Sequence, residues 1–169
     1  MPPPESRKVS IASPLIGESE IVAVREVLET GWLTQGARVA AFEEEFAKLH
    51  DVKHAIAVTS CTAGLHLALH AMGIGPGDEV IVPNLTFIAS ANAVIMVGAT
   101  PVLCDIYEDT FCINVEQAEE LVNEKTVAIM PVHLYGISAN MEKVMDLATN
   151  HKLKVLEDAA QGVGVRFLG

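Results

Sequence analysis

KVLEDAAQG, running from Lys154 to Gly162, is the stretch from which the rest of the chain is read. A short apolar run, Val155-Leu156, ends in two acids, Glu157 and Asp158, and small residues follow at once. The pattern predicts a buried strand that delivers a carboxylate to the lip of a sheet. A carboxylate is costly to bury unless it is paired, so an acid there calls for a cationic partner.

Outward from this segment the chain alternates. Strands are expected at Ala55–Val58, Glu79–Val82, Pro101–Leu103, Val127–Met130 and Leu153–Leu156. Helical spacing of apolar residues is expected over Thr62–Met72, Phe87–Val97, Val115–Val122 and Asn140–Thr149 between them, with Gly98 closing the second of these. Two amphipathic helices come first, Glu18–Glu29 and Arg38–Leu49, separated by TGWLTQG, Thr30–Gly36. Residues 1 to about 10 read as a mobile arm, and the arm with its junction is set at 1–15. Five strands joined mostly by crossovers long enough for a helix imply an α/β class, a mostly parallel sheet flanked by helices.

Composition narrows the function. The chain has 169 residues, half of them apolar, enough for one compact domain with a core. Its formal net charge of −11 offers no general attraction to nucleic acid or an anionic membrane, so neither is expected as a partner. Cys61, Cys104 and Cys112 form no CxxC pair, which fits reduced thiols in a reducing compartment. MPPPESRKVS lacks an apolar signal core, and the longest apolar stretches are broken by Asn84, Thr86 and Asn92.

Ligands in parallel sheets collect beyond the C-terminal strand ends. That rule selects Ser60-Cys61-Thr62, Asn84–Phe87, Asp105, His133–Gly136 and Asp158–Gln161. Thr59–Gly64 opens a helix, where hydroxyls and free amides suit a phosphate; ordinary capping by Ser60 or Thr62 explains the same residues. Neither the P-loop nor the dinucleotide glycine spacing is present. Phe87 either presents a ring to a flat ligand or packs in the core. Asp158 either neutralises a protonated ring nitrogen or serves as a cap or a structural ion pair. Gln161, three residues on, either bonds a ligand hydroxyl or satisfies the backbone. His66 and His70 lack a third ligand at metal-binding spacing, so no metal is expected. His133 either faces a ligand or satisfies its loop. A phosphate site, an aromatic platform and a carboxylate for a ring nitrogen together describe pyridoxal phosphate (PLP).

These residues sit within GWLTQG, FEEEFAKLH, TSCTAGLHLALHAMGIGPGDEVIVP, TFIASANAV, GATPVLCDI, PVHLYG and VLEDAAQGVG. In that order and spacing, from about Ile16 to Gly169, the chain resembles the N-terminal part of the DegT/DnrJ/EryC1/StrS family of PLP-dependent sugar aminotransferases. The resemblance implies that residues 16–169 form part of the large domain of the type I PLP-dependent aminotransferase fold, the remainder of it and a C-terminal small domain being absent. It implies that Cys61, Thr62, Ala63 and nearby backbone hold the phosphate, and that Phe87 stacks on the pyridine ring. Asp158 pairs with the ring nitrogen, and Gln161 lies near the ring hydroxyl. Trp32–Gly36 approaches the active site near a dimer seam. Cys61 stands where the family usually has glycine.

The resemblance further implies transamination of a nucleotide-linked keto sugar with L-glutamate as amino donor, in a cytoplasmic homodimer serving nucleotide-sugar and polysaccharide biosynthesis. The family's Schiff-base lysine belongs some two dozen residues past the DAAQ segment. Lys8, Lys48, Lys53, Lys125, Lys143, Lys152 and Lys154 all fall outside the matching position. The 169 residues alone are therefore expected to be a fragment, inactive or nearly so. Two alternatives stay open: the family's PLP-dependent sugar dehydratases, and a non-catalytic binding or assembly fragment.

Overall fold

The computed structural model describes residues 13–168, so most of the expected N-terminal arm lies outside the described residues. The chain divides into two compact units, Met1–Ala57 and Val58–Gly169.

The first unit holds α1 (Glu18–Thr30) and α2 (Ala37–Leu49). Both lie within one residue of expectation. Glu20 folds back to accept the Gly17 amide at 2.6 Å, and Gly31, at φ 70°, ends α1 in the left-handed conformation that glycine tolerates best. Neither helix contains a buried residue: Ile21, Val24, Leu28, Phe42 and Leu49 are all exposed. Helical periodicity thus formed the helices, but the apolar stripe it implies is not covered.

The second unit is the α/β body. Its elements are α3 (Cys61–Ala71), β1 (Glu79–Pro83), α4 (Ala89–Met96), β2 (Thr100–Cys104), α5 (Val115–Leu121), β3 (Thr126–Ile129), α6 (Met141–His151) and β4 (Lys154–Val155). The four strands form a parallel sheet in the order β2-β1-β3-β4. The β3–β4 line resumes past the strand ends in a parallel bridge between Val132 and Asp158.

β1 shows why this sheet is filled on both faces. Val80, Ile81 and Val82 are fully buried, and successive side chains point to opposite faces. Val80 and Val82 pack with Leu65 and Leu69 of α3 and Ala93 and Val94 of α4. Ile81 packs on the other side with Val115 and Ala118 of α5 and Val144 and Leu147 of α6. β3 divides in the same way, Ala128 to the first cluster and Ile129 to the second.

The expected strand at Ala55–Val58 is not one. No described residue pairs with it in a ladder, and its anchor is a bond from the Ala57 amide to Glu43 Oε1 at 2.8 Å. Apolar content made the segment look like a strand, but a strand also needs a neighbour for its backbone groups.

Candidate active site

Strand order reverses between β1 and β3, the place where parallel sheets open a crevice at their C-terminal ends. Loops leaving both strands meet Asp158 there. The Asp158 amide donates to Pro131 O at 2.9 Å, and its carbonyl accepts the His133 amide at 3.1 Å. These two bonds fix the backbone that carries the carboxylate.

Asp158 is only 5% exposed. Its Oδ2 accepts the Ser90 hydroxyl at 2.7 Å, and its Oδ1 accepts the Ala160 amide at 3.2 Å. The Cys61 Sγ, at the first residue of α3, lies 3.7 Å from Oδ1. Residues 97 positions apart thus bring the start of α3 and the acid into one place. Among the described residues no ion pair involves Asp158. Asp158 is thus a buried acid held by hydrogen bonds alone among the described residues.

The start of α3 suits an anion. Ser60 caps it by accepting the Ala63 amide at 3.1 Å. The Cys61 and Thr62 amides and the Thr62 hydroxyl have no hydrogen-bond partner among the described residues. Capping by Ser60 thus leaves the Cys61 and Thr62 amides without a partner among the described residues. The Cys61 side chain turns toward Asp158. Burial, and then the charge of Asp158, push its thiol above the ordinary range, so the neutral form is the one held there.

Phe87 is 71% exposed, with no core contact among the described residues. Its carbonyl accepts the Ser90 amide at 3.2 Å, so the ring stands on the turn that leads into the Asp158 partner. Gln161 is exposed and its Oε1 accepts the Tyr135 amide at 2.8 Å. Tyr135 is in the left-handed region at φ 56°, so Gln161 supports a strained turn. Backbone satisfaction accounts for its oxygen, while its amide nitrogen has no partner among the described residues.

His133 satisfies its loop. It is buried, and its Nδ1 accepts the Ala139 amide at 3.1 Å. Nε2 then carries the proton and donates to Glu157 Oε2 at 2.8 Å, which holds the Glu157 carboxyl below its ordinary range. No group of three metal-ligating side chains occurs among the described residues, His66 and His70 included. Asp105 accepts Asn84 Nδ2 at 3.2 Å, and no hydrogen bond joins it to Asp158 among the described residues. Trp32–Gly36 belongs to the first unit, where Trp32 Nε1 donates to Gln35 O at 2.8 Å.

The sequence reading missed Ser90 and the His133–Glu157 pair. Ser90 follows Thr86 by one helical turn, and their hydroxyls lie 3.0 Å apart. Two hydroxyls at that spacing, at the mouth of a helix that apart from Asn92 is made of apolar and small residues, were the available signal.

Fold and site define a parallel α/β domain in which a buried acid meets the start of a helix at the switch point of the sheet. The model of the DegT/DnrJ/EryC1/StrS aminotransferase family matches residues 14–169, and the chain belongs to that family. It is 53% identical over 150 residues to the spore coat polysaccharide biosynthesis protein SpsC of Bacillus subtilis (strain 168), covering 89% of this chain and 39% of that protein. It is 48% identical over 163 residues to the GDP-perosamine synthase of Caulobacter vibrioides, covering 96% and 44%. The PLP form of the putative sugar aminotransferase Spr1654 from Streptococcus pneumoniae superposes with a TM-score of 0.89 at 32% identity, covering 92% of this chain and 44% of that one. The chain thus spans about two fifths of the length of the curated relatives it matches.

Proposed function

We propose that the protein is a PLP-dependent sugar aminotransferase, with residues 16–169 contributing to its cofactor-binding large domain. The observation that carries this reading is the meeting of Asp158 with the start of α3. One small ligand with an anion at one end and a protonated nitrogen at the other satisfies both. PLP has that form, and when bound it supplies an electron sink for breaking and forming bonds at an amine carbon.

This chain's residues then divide the work. The free amides of Cys61 and Thr62, with the Thr62 hydroxyl and the turn through Ala63, bind the phosphate at the positive end of α3. Phe87 covers one face of the ring. Asp158 holds a proton on the ring nitrogen, because the ionised acid in a buried place favours the cationic partner. The Gln161 amide nitrogen, its oxygen held by Tyr135, is left to donate to the ring hydroxyl. Cys61 narrows the cradle where the family usually carries glycine.

The described lysines are employed elsewhere or lack a contact with the site: Lys48 pairs with Glu44, Lys143 with Glu116, and Lys154 donates to Met72 O. The lysine that holds the cofactor's aldehyde is accordingly assigned to a part of the protein outside these residues. The likeness to a polysaccharide biosynthesis protein and a GDP-perosamine synthase supports a sugar as acceptor, and a nucleotide-linked keto sugar is the form we propose. L-Glutamate as donor, a homodimer and a cytoplasmic setting complete the proposal.

The full-length protein is to be mixed with PLP, L-glutamate and nucleotide-linked keto sugars, with 2-oxoglutarate as the readout. Transfer that falls at least about a hundred-fold in Asp158→Asn is expected, as for loss of a charge that acts on the reacting ring. Absence of PLP binding, or an Asp158→Asn protein as active as the wild type, overturns the assignment.

A further inference from the structure

Asp158 alone does not fix the direction of its own carboxylate. A carboxylate rotates about its last bond unless donors hold it, and it has about four lone-pair sites to fill. The Ala160 amide, two residues away, and the weak Cys61 thiol share Oδ1. Among the described residues Oδ2 has a single donor, the hydroxyl of Ser90, at 2.7 Å. Ser90 is itself fully buried near the start of α4, and α4 packs on the sheet through Ala93 and Val94.

The Ser90 proton has two acceptors within reach, Asp158 Oδ2 at 2.7 Å and the Phe87 carbonyl at 3.3 Å. The shorter, charge-assisted bond prevails. That leaves the Ser90 oxygen free to accept from the Thr86 hydroxyl at 3.0 Å. The result is a directed chain, Thr86 to Ser90 to Asp158, in which each bond polarises the next. It starts in the loop that carries Phe87, so the same turn places the ring platform and aims the acid.

We propose that Ser90, backed by Thr86, is a positioning residue that orients the Asp158 carboxylate toward the protonated ring nitrogen of the cofactor. This rests on the PLP reading above. Ser90 touches neither cofactor nor substrate; it acts through Asp158, and the orientation it imposes leaves the remaining lone pairs of Asp158 for the cation.

Binding of two probes to the full-length protein separates this from a structural role: PLP, and its 1-deaza analogue, in which C–H replaces the ring nitrogen. Loss of a hydrogen bond to a charged group corresponds to about a ten-fold or larger loss of affinity. Ser90→Ala is therefore expected to weaken PLP about ten-fold while changing the deaza analogue less than about two-fold. Thr86→Val, which keeps the volume and removes only the outer hydroxyl, is expected to weaken PLP about two- to three-fold, again sparing the analogue. If Ser90→Ala weakens both probes equally, Ser90 is merely structural and the inference falls. Should that variant not fold, Thr86→Val carries the test by the same criterion. A wild-type protein that binds neither probe sinks the PLP reading itself, an outcome distinct from equal weakening.

Discussion

Replacing Gly162 by alanine tests how tightly the Asp158 segment is held. A Cβ built at Gly162 stands 2.7 Å from His133 Cβ, 3.3 Å from Cγ and 3.4 Å from Cδ2. The backbone of Gly162 is not in the positive-φ region, so the cost comes from space alone. His133 cannot step aside cheaply. It is buried, its amide donates to Asp158 O at 3.1 Å, its Nδ1 accepts from Ala139 at 3.1 Å, and its Nε2 lies 2.8 Å from Glu157. Overpacking of a fixed interior costs about 1–3 kcal/mol, and with three bonds to disturb we place this one at about 2–3 kcal/mol. Because His133 is tied to the Asp158 carbonyl, PLP affinity is expected to fall as well. Gly164→Ala is the control. Gly164 has a φ of 80° and open space around its missing Cβ, so alanine there meets backbone strain of about 1 kcal/mol without moving His133. Urea unfolding and PLP titration of both variants give the two readouts. A Gly162→Ala protein within about 0.5 kcal/mol of wild type, with unchanged PLP affinity, refutes the reasoning.

Two pH-dependent outcomes follow from the same region. Alkylation of Cys61 by iodoacetamide needs the thiolate, and burial plus the charge of Asp158 raises that thiol above 9.0, so the rate at neutral pH should trail that of a free thiol and keep climbing past pH 9. Bound PLP should protect Cys61; a rate that levels off by pH 9 contradicts the contact with Asp158. Glu157 is held below its ordinary 4.5 by the His133 hydrogen bond. A folded value below the unfolded one means that the contribution is complete above pH 4.5 and fades as pH falls through the lower folded value. The stability gap between wild type and Glu157→Gln, less than about 1 kcal/mol because the group is half-exposed, should therefore shrink on acidification; a gap that widens below pH 4.5 goes against the assigned pair.

Much of this protein was legible in its residue order. Among the described residues, all six α-helices begin and end within two residues of where apolar spacing put them, because a helix is closed by bonds between residues three or four apart. Four of the five expected strands are present, and EVIVP at the centre of the sheet announced burial on both faces by its unbroken apolar run. An acid at the end of the last strand was equally plain in KVLEDAAQG. What residue order alone did not decide is who meets whom. Ala55–Val58 has strand-like content, yet a ladder depends on a neighbour that local pattern does not specify. Phe87 could be core or surface on composition, and only the packing of α4 left its ring exposed. Ser90, Cys61 and Asp158 are separated by up to 97 positions, and the strand order β2-β1-β3-β4 is what folds them onto one crevice. Local periodicity shapes elements through short-range bonds, whereas the site is a long-range product of which strand lies beside which.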